Sequence, residues 1–403
     1  MTSLIPMTIA RTIRETLFQF ALAASLLGAL AGAGFRSAAG QTPPVASVLQ
    51  PFVDSHALAG AVTLVASKDK VLSLEAAGWA DIAAKEPMRT DALFWIASES
   101  KPMTATALMM LVDEGKVSLA DPVEKYLPEF KGQMVAVEQD SEHLLLRKAD
   151  RPITVKDILS HTSGLPFVSR VEFRIDQHPL SEAVVSYALS PLNSQPGTRY
   201  QYSNAGINTA GRIIEVVSGI PYGVFMEQRL FKPLGMKDTT LWPSKSQLKR
   251  LAKSYKPNAS KTGLEETEIT QLTCPLDDRR RGPSPAGGYF STARDMARFG
   301  QMLLNGGALE GKRYVSAEAI GEMTRKQTGD AIKENYGLGF SVRGASFGHG
   351  GAYSTDLNID TERQLVTVFM VQHAGYAGAD GAKILPAFRK AAEAFAQQGG
   401  GNQ

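Results

Sequence analysis

Apolar residues recur along this chain in distinct rhythms, and each rhythm occupies its own stretch. Val45, Val48, Leu49, Phe52 and Val53 have the three-to-four spacing of one helix face, which predicts a helix over residues 45–56. Two strand-like runs follow at 60–66 and 71–77, joined by the polar Ser67-Lys68-Asp69-Lys70, and predict a β-hairpin. Far downstream, residues 337–342, 346–348, 355–359 and 365–371 are β-rich, with a helix over 382–396. The run 365–371 is continuously apolar, as a central strand requires. Between these ends the spacing is helical. Residues 102–114 place Met103, Ala107, Leu108, Leu111 and Val112 on one face, and further helices are predicted at 155–159, 180–189, 204–217 and 293–304. Residues 130–152 set charged residues around Leu144-Leu145-Leu146 and predict an excursion with its own hairpin.

Strands at both ends with helices between them predict an α/β (α+β) fold. One mostly antiparallel central sheet, flanked by helices, would be built from both chain ends, with an all-helical lobe inserted. The α/β lobe would take in about 45–130 and 285–398 and the helical lobe about 151–284, within a single domain over 41–403. A site between the lobes is the default expectation.

The first 40 residues stand apart. Arg11 and Arg14 precede an apolar stretch over 17–35, and small residues follow in Ser37-Ala38-Ala39-Gly40. That order is the order of a signal peptide. The stretch exceeds the usual core of about 7–15 residues and approaches the roughly 20 that span a bilayer. The expectation is export to the periplasm or the medium, with cleavage favoured and an uncleaved anchor as the alternative. Membrane contact would follow only from the anchor.

Composition removes several function classes. The 403 residues carry 43 Lys+Arg against 40 Asp+Glu, a formal net charge of +3, with no dense basic run interleaved with aromatics. A nucleic-acid partner is therefore not expected. Cys274 is the single cysteine, so no intrachain disulfide can form, and no Cys/His group has zinc spacing. Its setting, Thr-Cys-Pro-Leu-Asp-Asp, has the composition of a loop and no nucleophile signature.

Three segments carry chemistry. In Phe94-Trp95-Ile96-Ala97-Ser98-Glu99-Ser100-Lys101-Pro102, Ser98 stands at the start of a predicted helix and Lys101 one turn later on the same face. A serine hydroxyl needs a neighbouring base to become a nucleophile, and a lysine desolvated by burial can be that base. Taken alone, Ser98 could equally be an N-cap. In Tyr200-Gln201-Tyr202-Ser203-Asn204, the two-residue spacing points Tyr202 and Asn204 the same way. A phenol can relay a proton and an amide can hold a carbonyl; packing and capping are the alternatives. In Phe347-Gly348-His349-Gly350-Gly351-Ala352, the glycines let a strand backbone approach another molecule closely.

In this order the three segments resemble the serine β-lactamase-like superfamily of class C β-lactamases, D-alanyl-D-alanine carboxypeptidases and family VIII-type carboxylesterases. The resemblance covers roughly residues 45–397 and includes Leu159-Ser160-His161-Thr162-Ser163-Gly164-Leu165 and Gly287-Gly288-Tyr289-Phe290-Ser291-Thr292. It implies a β-lactamase/penicillin-binding transpeptidase-like fold and a covalent acyl-enzyme on Ser98, activated by Lys101. Tyr202 would act as general base and then return the proton to the leaving group, and which of Lys101 and Tyr202 takes the first proton stays open. Asn204 would sit against Lys101 and the substrate acyl group. His349 would stand where β-lactamases carry the lysine of Lys-Thr-Gly, with Gly350 and Gly351 beside it. The backbone N–H groups of Ser98 and Ala352 would form the oxyanion hole. No metal or organic cofactor is implied.

The strand motif departs from Lys-Thr-Gly: Gly350 has no side chain, and a histidine near its ordinary pKa of about 6.5 is largely neutral at pH 7. Losing a charge-assisted bond of about 1.5–3 kcal/mol weakens capture of a β-lactam carboxylate. The expected substrate is a small uncharged ester or amide. The alternatives are a D-alanyl-D-alanine carboxypeptidase or D-aminopeptidase, a weak β-lactamase, and a non-catalytic binding homologue. Four neighbouring features are expected to be structural. Glu99 would be an exposed acid at the helix start, His161 a turn element, 336–339 a packing segment, and 277–281 a solvated charge cluster.

Overall fold

The computed structural model describes residues 44–399. The expectation of a signal peptide or anchor at 1–40 lies outside the described residues. Among those that are described, no helix is long and apolar enough to cross a membrane.

A seven-stranded sheet is assembled from both ends of the chain. Its strands are β1 (Gly60–Ala66), β2 (Val71–Asp81), β3 (Glu86–Pro87), β4 (Ser341–Arg343), β5 (Ser346–Gly350), β6 (Asp356–Asp360) and β7 (Leu365–Met370), in spatial order β4-β5-β6-β7-β1-β2-β3. All neighbouring pairs are antiparallel, and Leu64 faces Val368 where the two chain ends meet. Strand β1, apolar except for Thr63, is buried on both faces. Val62 and Leu64 enter the main core, while Ala61 and Val65 face a second cluster formed with Leu49, Ile384 and Phe388. Strand β7 divides in the same way, Val366 and Val368 one way and Leu365 and Phe369 the other.

Four helices matter for the site and its support: α1 (Ser100–Asp113), α2 (Asn204–Ser218), α3 (Ala293–Leu304) and α4 (Gly381–Gly399). Helix α1 is buried on nearly every side, which explains why its apolar residues do not keep to one face. Pro102 is tolerated because it sits in the first turn, where no backbone N–H is required. Helix α2 begins at Ser203, whose side chain accepts the Gly206 N–H, and ends at Gly219 in the left-handed region (φ 70°). Helix α3 lies against the sheet; a Cβ at Gly300 would come within 2.5 Å of Val366.

Residues 337–342 behave differently from expectation. Only Ser341–Arg343 is strand, because Gly339 (φ 77°) folds the preceding segment into a turn closed by Gly337 N–H to the Phe340 carbonyl. The excursion forms the expected hairpin, Met134–Gln139 paired with Leu144–Lys148. A second hairpin, Ser254–Pro257 with Leu264–Thr267, lies within the otherwise helical insertion. Its strands carry Lys256, Glu265 and Glu266 and show no alternation to read.

Candidate active site

The nucleophile candidate is held by a short strand pair. Phe94–Trp95 pairs with Phe290–Ser291, and Ile96 N–H donates to the Tyr289 carbonyl. Ala97 then takes φ 45°, a left-handed conformation that non-glycine residues rarely adopt, and Ser98 follows in a single tight turn that runs into α1. Ser100, which sequence reasoning passed over, secures this turn: its hydroxyl donates to the Ala97 carbonyl at 2.6 Å and accepts the Tyr289 N–H.

Lys101 lies one turn on, fully buried, with Nζ 2.9 Å from Ser98 Oγ and 2.8 Å from the Ala286 carbonyl oxygen. The Ala286 N–H is fixed from the opposite side by Asn208 Oδ1 at 3.0 Å. No carboxylate pairs with this amine among the described residues. Burial therefore drives its pKa well below the usual lysine value.

The amine stands 4.6 Å from the centroid of the Tyr202 ring. Burial pushes the Tyr202 phenol up, a hydrogen bond with Ser98 opposing it in part. His161, expected to be a turn element, takes φ 60° and accepts the Ser203 N–H at Nδ1, with its ring 4.4 Å from that of Tyr202. It positions the tyrosine through the turn. Asn204 opens α2, and its Oδ1 is buried without a hydrogen-bond partner among the described residues. Lys101 uses the Ala286 carbonyl and Ser98, not Asn204, as its hydrogen-bond partners.

Strand β5 closes the other side. His349 Nδ1 lies 2.7 Å from the Gly350 carbonyl oxygen, which can only accept, so Nδ1 carries the proton and Nε2 is the acceptor. Two phenols face Nε2: Tyr336 at 3.0 Å and Tyr202 at 3.4 Å. Burial first, then the nearby Lys101, holds the His349 pKa down at about 3. Tyr336 thus does more than pack. At Gly351 a Cβ would sit 2.2 Å from Thr355 Oγ1 and 2.6 Å from the Ile96 carbonyl oxygen, so only glycine lets this strand end approach the serine turn.

Ser98, Tyr202, Asn204, Gly350, Gly351 and Ala352 line one cleft of about 560 Å³. Its outer wall is apolar, with Phe167 and Phe173 exposed at the mouth and Trp95, Val168 and Ile175 deeper. Glu172 and Arg174 are its charged side chains; Glu172 accepts from the Tyr187 hydroxyl, and Arg174 lies at the exposed rim. A larger groove of about 930 Å³ shares no residue with this cleft, and Arg298 pairs with Glu310 in its wall.

Two expectations are corrected here. Glu99 is not an exposed acid: it is fully buried, and neither carboxylate oxygen has a hydrogen bond of good geometry among the described residues. The tight turn at 97–99 directs it inward toward Thr355 and Asp356, and burial raises its pKa well above the carboxylate range. Arg281 is not solvated either. Its Nε lies 2.7 Å from Asp176 Oδ2, with both side chains buried, and Asp176 also accepts the Thr273 N–H. The pair anchors the segment that carries Arg174 and Ile175 into the cleft. Charge alone could not show which arginine of the run turns inward.

A family model described as Beta-lactamase matches residues 45–388. Protein Rv1367c of Mycobacterium tuberculosis (strain ATCC 25618 / H37Rv) is 33% identical over 362 residues, 79% of this chain and 87% of that protein. Esterase EstB of Burkholderia gladioli is 34% identical over 194 residues, 45% of this chain and 46% of that protein. Among solved structures, EstCE1, described as a hydrolase with promiscuous acyltransferase activity, superposes with a TM-score of 0.72 at 21% identity, covering 87% of this chain and 97% of that one.

Proposed function

The chain belongs to the Beta-lactamase family, a family of serine hydrolases that includes esterases, and from that premise we propose that it hydrolyses small uncharged esters through an acyl-enzyme on Ser98. The observation that carries this reading is the buried Lys101 amine 2.9 Å from Ser98 Oγ, with no carboxylate among the described residues to hold it protonated.

The geometry supports the following sequence. The neutral Lys101 amine takes the Ser98 proton as Oγ attacks the ester carbonyl. Tyr202, whose burial disfavours a phenolate, acts as a proton donor: it protonates the leaving alkoxide and recovers a proton from Lys101. The alcohol departs and the acyl group stays on Ser98. Water then enters, passes its proton back along the same groups and releases the acid. Backbone N–H groups of Ser98 and Ala352 would meet the oxyanion.

The ester preference rests on the groups in and just behind the cleft. His349, buried behind its wall, is held neutral, Gly350 in the wall offers no hydroxyl, and the mouth is apolar, with Phe167 and Phe173 exposed there. Side-by-side hydrolysis of p-nitrophenyl butyrate and nitrocefin, for the chain and its Ser98→Ala variant, tests the proposal. Ester turnover lost in the variant, with nitrocefin nearly untouched, supports it; efficient nitrocefin cleavage overturns the preference. Export is proposed with it on the pattern of residues 1–40, and N-terminal sequencing of the protein recovered from its producing cells tests that.

A further inference from the structure

The hairpin of Met134–Gln139 and Leu144–Lys148 has one open edge. All five residues of Leu144–Lys148 are exposed, and this strand pairs with Met134–Gln139 alone. The far side of Met134–Gln139 is occupied: Ala136 N–H donates to the Leu192 carbonyl and Leu192 N–H to the Met134 carbonyl, each at 2.8 Å. Leu144, Leu145 and Leu146 are 43%, 55% and 37% exposed, with Val137 at 52% beside them. An isolated two-stranded hairpin is marginally stable in water. An open edge carrying three consecutive leucines is a template for another strand.

Charge decides what covers it. The ion pairs within the hairpin and its base are His143–Asp140 and Arg147–Asp150, which leaves Glu138 on the inner strand, and Glu142 and Lys148 at the two ends of the open edge, without one among the described residues. We propose that this edge docks a second copy of the chain, the two Leu144–Lys148 strands pairing antiparallel about a two-fold axis at Leu145. In that register Leu144 of one copy meets Leu146 of the other, Leu145 meets its own equivalent, His143 and Arg147 face each other with each held by its own carboxylate, and Glu142, in the turn just past the strand end, comes within reach of Lys148. The two-fold axis repeats each contact, so an acid–base pair flanks the leucines at both ends. Shifting the axis to Leu146 would set Leu144 against Lys148 and Leu145 against Arg147, losing both complementarities. Two hairpins joined in this way form a four-stranded sheet. None of these residues lines the catalytic cleft.

Sedimentation of the full-length chain at tens of micromolar tests the dimer. The proposal expects a dimer that Leu145→Lys and Glu142→Lys each reduce to monomer with an unchanged circular dichroism spectrum, and that adding Lys148→Glu to Glu142→Lys restores. In a Cys274→Ser background, Leu145→Cys should cross-link two copies on oxidation while Val137→Cys, one strand removed from the axis, should not. A monomeric wild type, a charge swap that restores nothing, or equal cross-linking at both positions overturns it. So does association with phosphatidylglycerol vesicles that Leu145→Lys abolishes while the chain stays monomeric.

Discussion

The Tyr336 hydroxyl and His349 Nε2 stand 3.0 Å apart, and both side chains are buried. The contact joins the turn before β4 to the strand beside Ser98, and it ties a histidine that Gly350 has already fixed in one tautomer. Tyr336→Phe would leave a buried Nε2 with only the 3.4 Å contact from Tyr202. The expected cost is about 1–3 kcal/mol of stability, measured by urea unfolding, with ester turnover falling less than in Tyr202→Phe. An unchanged unfolding midpoint would show that the contact contributes nothing.

Lys101 must be neutral to take a proton, so its depressed pKa sets the sign of the pH dependence. Ester kcat/KM should fall toward acid in a single step as the amine protonates. Lys101→Arg should lose on the order of 10²–10⁴-fold, because a guanidinium stays charged.

His349 should make no step in that profile near pH 6.5, since its folded pKa lies at about 3. It acts on stability instead. Between its unfolded pKa of about 6.5 and 3, the unfolded chain binds a proton that the folded chain does not, so stability falls as the pH drops through that window, by up to about 1.4 kcal/mol per pH unit. Unfolding midpoints of the chain and of His349→Gln between pH 7 and pH 4 check this; parallel curves would contradict it.

Glu99 carries the opposite sign. Its pKa is raised on folding, so its contribution is intact below the unfolded value and is lost as the pH rises through the folded one. Glu99→Gln should therefore melt higher than the parent at pH 8, show a smaller difference at pH 4, and keep ester turnover nearly unchanged. A melt lowered at pH 8 would mean that the carboxylate is needed in its charged form.

Gly351→Ala should cost on the order of 10²-fold in kcat, because the new methyl would push the Ala352 N–H away from the serine turn. Binding of a non-hydrolysable ester analogue should change far less. Asp176→Ala should destabilise by about 3–5 kcal/mol, since it strands the buried Arg281 charge. A loss below about 1 kcal/mol, the range of an exposed pair, would mean that water reaches the guanidinium.

Sequence alone determined the parts of this protein that depend on local order. The spacing from Ser98 to Lys101 fixes one helix face, Tyr202 and Asn204 fix the entry to α2, and the apolar runs of β1 and β7 announce strands buried on both sides. Those are short-range consequences of helix and strand periodicity. Tertiary structure decided the rest, because burial is a property of what packs around a residue. It turned Glu99 inward from an acid-favouring helix start, chose Arg281 from a run of arginines, and removed the charge-stabilising water from Lys101 and His349. It also brought Tyr336, Ala286 and Asn208, from three distant segments, to the atoms that hold the histidine and the lysine in place.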